Sequence, residues 1–379
     1  MLTFRQLDDL PNSVVEIMTQ AEQSIINDMA RRISRMGAVT NATHWQAKRL
    51  EAIGAVQDNV IKELSRALRL TERQLIDLFD EAATRTIESD NEMYKTAGYK
   101  AIPLRENLYL QQLIAAGLAK TQGEFINLTR TTANTATRQF ERALDLAHMQ
   151  IAVGAMDYKS AIKAAIKLLS RQGLAAINYP TGRTDFLDVA TRRAVLTGVN
   201  QTCAEIQLAN IQQLGTDLVE TTAHPGARTG EGVGNHAGWQ GKIYSISGIT
   251  SGYPDFYTET GYGTGPGLCG WNCRHSFFPY FKGLSESAYT AEKLREYNNK
   301  TVRFNGEEMS LYDATQRQRS IERNIRRWKR EAGAIEAAGL DNSAANLKVR
   351  EWQARQRDFM EQTGLRRDYF RERAGKQNK

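Results

Sequence analysis

The chain has 379 residues, of which 41% are hydrophobic and 25% are charged, an ordinary composition for globular domains and enough length for two or three of them. It contains no run of about 18 apolar residues, and its acidic N-terminus does not resemble a signal peptide, so we expect neither a membrane span nor secretion. Three cysteines are too few for a disulfide framework and indicate a reducing compartment.

The net charge of +7 is concentrated at the C-terminal end, where residues 301–379 hold 18 Lys and Arg against 12 Asp and Glu. A basic end predicts a polyanionic neighbour, either nucleic acid or an acidic protein face, although it is equally typical of a solvated helix. Helical spacing would gather most of one basic run on one side, ready for phosphate contacts with double-stranded DNA. These candidates are Arg323, Arg326, Arg327, Lys329 and Arg330.

Apolar side chains recur every three or four residues through the first 215 residues and predict an almost wholly helical region. The predicted helices cover 12–36, 41–68, 70–94, 104–119, 121–148, 158–172 and 191–215. Thr71 is followed three residues later by Gln74, which is the pattern of a capping box. We therefore expect a helix to begin at Thr71.

The amino-acid composition changes over residues 216–283, where Gly, Pro, Tyr and Trp become frequent. Short β-branched runs at 217–223 and 241–247 predict strands. Helices return at 285–299, 316–339 and 342–364, and Asn305-Gly306 predicts a hairpin turn between the first two. The expected fold is mainly α with a small α+β module, divided into a helical region 1–215, an α+β module 216–283 and basic helices 284–379.

Side chains suited to metal binding or catalysis concentrate in the middle segment. They are His224, Arg228, His236, Cys269, Cys273, Arg274 and His275. The spacing of the two cysteines is compatible with a zinc site completed by His275 or by His236, although a zinc ribbon would carry a second paired half. A zinc-stabilised binding module is therefore one hypothesis.

Two catalytic interpretations use the same segment. A cysteine nucleophile would need a histidine and a carboxylate, for which Asp255 and Glu259 are the neighbours in sequence. A toxin-like nuclease or hydrolase would be centred on His224, His236 and His275, with an arginine on the phosphate. The Gly-rich stretch around residue 265 lacks the phosphate-loop pattern.

The structural interpretation assigns the segment no chemistry and no cofactor. Aromatic side chains would form a small core, and the arginines and histidines would satisfy loop carbonyls beneath it. The expected core aromatics are Trp239, Trp271, Phe277, Phe278, Tyr280 and Phe281. On this interpretation, replacing Cys273 by Ser would affect stability rather than catalysis.

Three stretches carry a family resemblance: residues 221–245, "TTAHPGARTGEGVGNHAGWQGKIYS"; 261–283, "GYGTGPGLCGWNCRHSFFPYFKG"; and 310–332, "SLYDATQRQRSIERNIRRWKREA". They resemble the minor capsid protein 2 family of tailed phages and prophages, which is similar to the head-morphogenesis group typified by the phage Mu F protein. The shared features correspond here to the helix around 192–212, to His236 with Gly241, Lys242 and Tyr244, and to the box Asn272-Cys273-Arg274-His275.

The resemblance implies a low-copy structural protein of the virion, with no catalytic role. Such proteins act in head assembly, inside the procapsid and near the portal, and some contact packaged DNA. The implied partners are the portal protein and other capsid or scaffold proteins, with no membrane involved. The implied location is the phage head interior, after assembly in the host cytoplasm. The box ends in His275 rather than in a second cysteine, which weakens a metal site built from the box cysteines alone.

Overall fold

The computed structural model describes residues 2–36, 42–178 and 183–375. Helices dominate this part of the chain, and none of them is both long enough and apolar enough to cross a membrane. The α-helices are α1 (Phe4–Asp9), α2 (Asn12–Met36), α3 (Ala42–Thr96), α4 (Leu108–Ala152), α5 (Tyr158–Gln172), α6 (Leu187–Gln213), α7 (His236–Trp239), α8 (Phe256–Thr260), α9 (Ala291–Asn298), α10 (Leu311–Ala337) and α11 (Ser343–Thr363).

The strands form three small antiparallel sheets. They are β1 (Ala175–Asn178), β2 (Arg183–Phe186), β3 (Leu218–Thr221), β4 (Ile243–Ser245), β5 (Phe277–Pro279), β6 (Thr301–Phe304) and β7 (Glu307–Ser310). β1 pairs with β2, and β6 pairs with β7. The third sheet has the order β4-β3-β5, with Val219 opposite Tyr244 on one side and Pro279 on the other. The expected fold class, mainly α with a small α+β module, is confirmed.

Two compact units divide the chain, and each is built from three separate segments. Unit 1 contains residues 1–11, 73–123 and 193–316, and unit 2 contains residues 12–72, 124–192 and 317–379. Helices α3, α4, α6 and α10 each contribute residues to both units. The division into regions 1–215, 216–283 and 284–379, which was expected from the amino-acid composition, stays a prediction.

Helices α3 and α4 are longer than the sequence pattern indicated. The predicted helices 41–68 and 70–94 are one continuous helix, and residue 41 itself lies outside the described residues. The start predicted at Thr71 is wrong, because no Gly or Pro ends the preceding turns and Thr71 is a fully buried interior residue. Likewise, the predicted helices 104–119 and 121–148 are a single helix, α4.

The core of unit 1 joins helix α6 to the three-stranded sheet. Its fully buried members include Val219, Tyr244, Phe256 and Phe277. α6 also approaches α4 closely, since a Cβ atom added at Gly117 would lie 1.8 Å from the Thr202 hydroxyl oxygen. Gly117 is therefore needed where α4 crosses α6. This crossing positions α6, which carries several polar groups of the site described below.

Unit 2 buries ionised side chains inside its helical core. Arg330 on α10 lies 3.0 Å from Glu22 on α2, with side chains 7% and 1% exposed, and Arg326 lies 2.9 Å from Asp188 at the start of α6. Burial raises the pKa of Glu22. Burial alone would raise the pKa of Asp188, but Arg326 and Arg330 lower it below its ordinary value. We call these four residues the buried ion-pair network.

Candidate functional site

Three histidines that lie far apart along the chain meet in unit 1. The rings of His224 and His275 are stacked with centroids 4.3 Å apart, and His236 lies edge-on to His275 at 5.3 Å. Trp239 packs against the edge of His275 at 4.9 Å. His236 and His275 are buried, with 3% and 1% of their surface exposed. We call His224, His236 and His275 the histidine cluster.

The hydrogen bonds of the cluster fix which ring nitrogens carry protons. The Nε2 atom of His236 lies 2.9 Å from the carbonyl oxygen of Pro266, which can only accept, so this nitrogen donates. His224 Nδ1 donates to the carbonyl oxygen of Pro225 at 3.1 Å by the same reasoning. In these neutral rings the lone pairs therefore reside on His236 Nδ1 and His224 Nε2.

Gln240 organises the centre of the cluster. Its side-chain oxygen accepts the backbone N–H of His224 at 3.0 Å and also lies 3.0 Å from His275 Nε2, which therefore donates. Its amide nitrogen donates to Asn298 on α9 at 2.7 Å. Gln240 is itself 1% exposed, so this buried side chain connects His275 in the core to the half-buried His224 and to Asn298 at the surface.

The remaining nitrogen of His275 faces a cysteine. His275 Nδ1 lies 3.7 Å from Cys273 Sγ, and the Cys269 thiol points instead to the His275 carbonyl oxygen at 3.6 Å. Asn200 on α6 donates to the carbonyl oxygens of Cys273 and His275, at 3.3 and 3.1 Å. One side chain thus holds both ends of the Cys-Arg-His turn.

The loop that presents these residues is tightly folded backbone. Cβ atoms added at Gly267 and Gly270 would lie 2.2 Å and 2.3 Å from the carbonyl oxygens of Gly261 and Gly265. Cys269 and Asn272 both adopt left-handed backbone conformations, with φ near +57° and +56°. Such conformations are uncommon for residues other than glycine and persist when the surrounding structure imposes them.

Arginines and the N-terminal helix cover the cluster. Arg274 forms an ion pair with Asp8 at 2.6 Å and donates to the Asn272 carbonyl oxygen. Arg228 donates to the Trp271 carbonyl oxygen at 3.1 Å. Phe4 on α1 packs on His224, with ring centroids 4.3 Å apart. These contacts use the two arginines to hold loop backbone in place.

The other signature residues and expected core aromatics lie outside the histidine cluster or beside it, and they differ in burial. Trp271 was expected in the core, but half of its surface (51%) is exposed because its ring lies over Gly265 at the loop surface. Lys242 is exposed, although its backbone pairs with Thr221. Gly241 adopts φ +65, and a Cβ atom there would meet Leu294 at 2.4 Å. Trp239, Phe277, Phe278 and Phe281 are buried as expected.

Burial keeps the ionisable groups of the cluster uncharged. It lowers the pKa of His224 and of His236 to about 4, and it lowers the pKa of His275 well below its ordinary value. Burial also raises the pKa of the Cys269 and Cys273 thiols. At neutral pH the cluster thus presents neutral imidazoles and protonated thiols rather than a charged acid–base pair or a thiolate nucleophile.

The basic residues proposed for DNA lie in different environments on α10. Arg326 and Arg330 belong to the buried ion-pair network, and Lys329 donates to the Glu372 carbonyl oxygen at 3.0 Å. Arg327 lies over the Trp328 ring, and burial lowers its pKa. Arg323 is exposed. The side of the helix that gathers the basic residues is therefore largely occupied within unit 2.

Sequence reasoning missed three polar residues that hold the site: Asn200, Gln207 and Gln240. All three are buried, and Gln207 bridges Asp90 and Ser276. Asn200 and Gln207 are seven residues apart on α6, where polar side chains stand among the apolar residues of the buried face. Their presence there was the available signal, because buried polar groups need partners.

Comparison with known proteins supports the resemblance of the three signature stretches. The family model for phage minor capsid protein 2 matches residues 2–361. The chain therefore belongs to the phage minor capsid protein 2 family, a family of phage structural proteins.

Two relatives agree with this assignment. A structural protein of Lactococcus phage LL-H is 26% identical over 345 residues, which cover 86% of this chain and 88% of that protein. A structural protein of Lactococcus phage mv4 is 33% identical over 124 residues, which cover 32% of this chain and 91% of that protein. No solved structure matches the chain.

Proposed function

We propose that the chain is a low-copy structural protein of the phage head, placed inside the head near the portal, where it aids procapsid assembly in the host cytoplasm. One observation carries the non-catalytic part of this proposal. His236 and His275 are buried, His224 is half-buried, and each ring is bonded to a carbonyl or amide oxygen. The arginines of the signature hold the covering loops. Groups committed in this way stabilise a fold and leave no open acid–base pair for a substrate.

A hydrolase centred on the histidine cluster is the alternative that this geometry disfavours. The three rings are brought together, as that hypothesis requires, but they are covered by Phe4, Trp239 and the loop 261–275. A general base must reach the proton that it removes, through hydrogen-bond distance or one water. The rings of His236 and His275, which are 3% and 1% exposed, do not offer that access.

Exposed apolar side chains on the long helices support docking to other head proteins. Leu50 on α3 is 66% exposed, and Leu108 on α4 is 74% exposed. We assign the portal protein or a neighbouring capsid subunit as the partner for these helices. Burying such residues at an interface removes apolar surface from water, which stabilises the complex by about 25 cal/mol for each Å² buried.

Docking can be tested by co-expression of the chain with the portal protein of the same phage and co-purification. Leu50→Glu and Leu108→Glu should each weaken recovery of the portal protein, whereas Gln112→Glu, an exposed polar position on α4, should not. Equal recovery with all three variants would remove these side chains from the interface.

Contact with packaged DNA would rest on exposed cations. Arg323 on α10 and Arg350 and Arg357 on α11 are exposed, whereas Arg326 and Arg330 are required by the fold. Gel shifts with a short duplex in rising salt should show sequence-independent binding that weakens steeply. Arg323→Gln should reduce the slope of the logarithm of the binding constant against the logarithm of the salt concentration by about one. Lys242→Gln should leave this slope unchanged. Binding that is indifferent to salt would refute the DNA contact.

The most direct test of the whole proposal is the phage itself. Deletion of the gene should reduce the yield of infectious heads, and cryo-electron microscopy of the wild-type procapsid should place the chain inside, beside the portal. Normal heads without the chain, or a position on the outer surface, would contradict the proposed role.

A further inference from the structure

We propose that His236, Cys273 and His275 bind a structural zinc ion in unit 1. Their three ligand atoms lie within 4.8 Å of one another, and all three residues are buried. In a tetrahedral site, Zn–N bonds of about 2.0–2.1 Å and a Zn–S bond of about 2.3 Å place nitrogen and sulfur about 3.6 Å apart. The observed distance from His275 Nδ1 to Cys273 Sγ is 3.7 Å.

The hydrogen bonds of the two histidines determine which ring nitrogen keeps its lone pair for a metal. His236 donates through Nε2 to the Pro266 carbonyl oxygen, and His275 donates through Nε2 to Gln240. Each ring thus keeps its lone pair on Nδ1. Metal-binding histidines in proteins are held in this way, with the other ring nitrogen bonded to a carbonyl or carboxylate.

The ligand types select zinc over harder cations. Two imidazole nitrogens and one thiolate are typical zinc donors, whereas Mg²⁺ and Ca²⁺ prefer oxygen. Binding would replace the Cys273 S–H proton, which leaves as H⁺ while the sulfur forms its bond to zinc.

The proposed ligand set differs from the one suggested by cysteine spacing. The Cys269 thiol points to the His275 carbonyl oxygen, and Cys269 is not among the three clustered ligands. His224 stacks on the ring face of His275 and also lies outside the three. Cys269 and His224 therefore serve as matched controls, each a nearby residue of a ligand type.

Zinc would have a definite structural role here. His236 lies on α7, whereas Cys273 and His275 lie in the tightly folded loop that follows α8. A shared ion would cross-link these two segments of unit 1, which no disulfide does, since Cys203, Cys269 and Cys273 are all free thiols. This role goes beyond the proposed assembly function and does not depend on it.

The first experiment is metal analysis of the full chain, purified without a histidine tag from zinc-supplemented cells. We expect about one zinc per chain, a melting temperature lowered by at least about 5 °C after chelation, and recovery on adding Zn²⁺. Absence of bound zinc, together with a melting temperature unaffected by Zn²⁺, would overturn the proposal.

Ligand identity is tested with Co²⁺ in place of zinc. The cobalt protein should show a thiolate-to-cobalt charge-transfer band, which Cys273→Ser should abolish and Cys269→Ser should retain. His236→Gln and His275→Gln should lower the metal content severalfold, and His224→Gln should not. A charge-transfer band that survives Cys273→Ser, or its absence from the wild-type cobalt protein, would refute this ligand set even if a variant folds poorly.

Discussion

The two units bury polar groups by opposite means. In unit 1 the histidine cluster is neutral, and each ring is matched to a carbonyl or amide oxygen. In unit 2 the buried ion-pair network holds Glu22 against Arg330 and Asp188 against Arg326. A neutral hydrogen-bonded group loses little by burial, whereas a buried charge depends on its partner to offset a large desolvation cost. Single substitutions should therefore be more damaging in unit 2.

The largest effect is expected for Arg330→Met, which leaves the carboxylate of Glu22 without its ion pair. Breaking a buried pair from one side costs about 3–5 kcal/mol. The measurement is the free energy of unfolding from urea titration, followed by circular dichroism. Arg323→Met, an exposed position on the same helix, is the control and should change stability by less than about 0.5 kcal/mol. Similar losses for the two variants would contradict the contrast between the units.

A smaller loss is expected for Gln240→Met in the histidine cluster. The substitution preserves side-chain length but removes the acceptor for the His224 backbone N–H and for His275 Nε2. A buried donor without a partner costs about 1–3 kcal/mol, so we expect a loss of about 2 kcal/mol. Gln213→Met, at an exposed position on α6, should be nearly neutral in the same urea titration. A loss as large as that of Arg330→Met would remove the difference between neutral and charged burial.

A third effect, similar in size but opposite in sign, is a gain of stability in unit 2 that depends on pH. Burial raises the pKa of Glu322 to about 7, although Arg371 and Arg319 oppose the shift. A raised carboxyl pKa contributes stability that is fully present below the ordinary pKa of about 4.3 and is lost as the pH rises through 7. Glu322→Gln mimics the protonated form, so it should stabilise the chain by about 2 kcal/mol at pH 8 and by much less at pH 5.

Thermal or urea unfolding at the two pH values measures this difference. Glu361→Gln on α11 replaces an exposed carboxylate and serves as the control. If Glu322→Gln destabilised the chain at pH 8, the carboxylate would be a favourable member of its charged surroundings rather than a burden on the fold.

Helix content and local turns followed directly from the sequence. The helix at Tyr158–Gln172, the strands around Leu218–Thr221 and Ile243–Ser245, and the hairpin at Asn305-Gly306 are present where the pattern predicted them. These features depend on periodicity and turn chemistry within a few residues. The family signature was equally local, because its residues stand in three short, contiguous stretches.

Short patterns failed where the outcome depended on distant packing. Thr71 has the sequence of a capping box, yet it is an interior residue of α3, because a cap forms only where the preceding chain leaves the helix. The strand Phe277–Pro279 was not predicted, since three residues carry too little pattern to reveal a pairing with β3. Trp271 was predicted to lie in the core because it is a large aromatic residue, but the loop that carries it places its side chain at the surface.

By itself, the sequence determined a mainly helical chain with a small α+β module and the membership of the phage minor capsid protein 2 family. Only the tertiary structure decided which side of α10 faces inward, and that Gln240 and Asn200 hold the histidine cluster. The physical reason is the sequence separation between the residues that interact. Secondary structure is set by neighbours, whereas the partner of a buried polar group, such as Glu22 for Arg330, can lie 308 residues away.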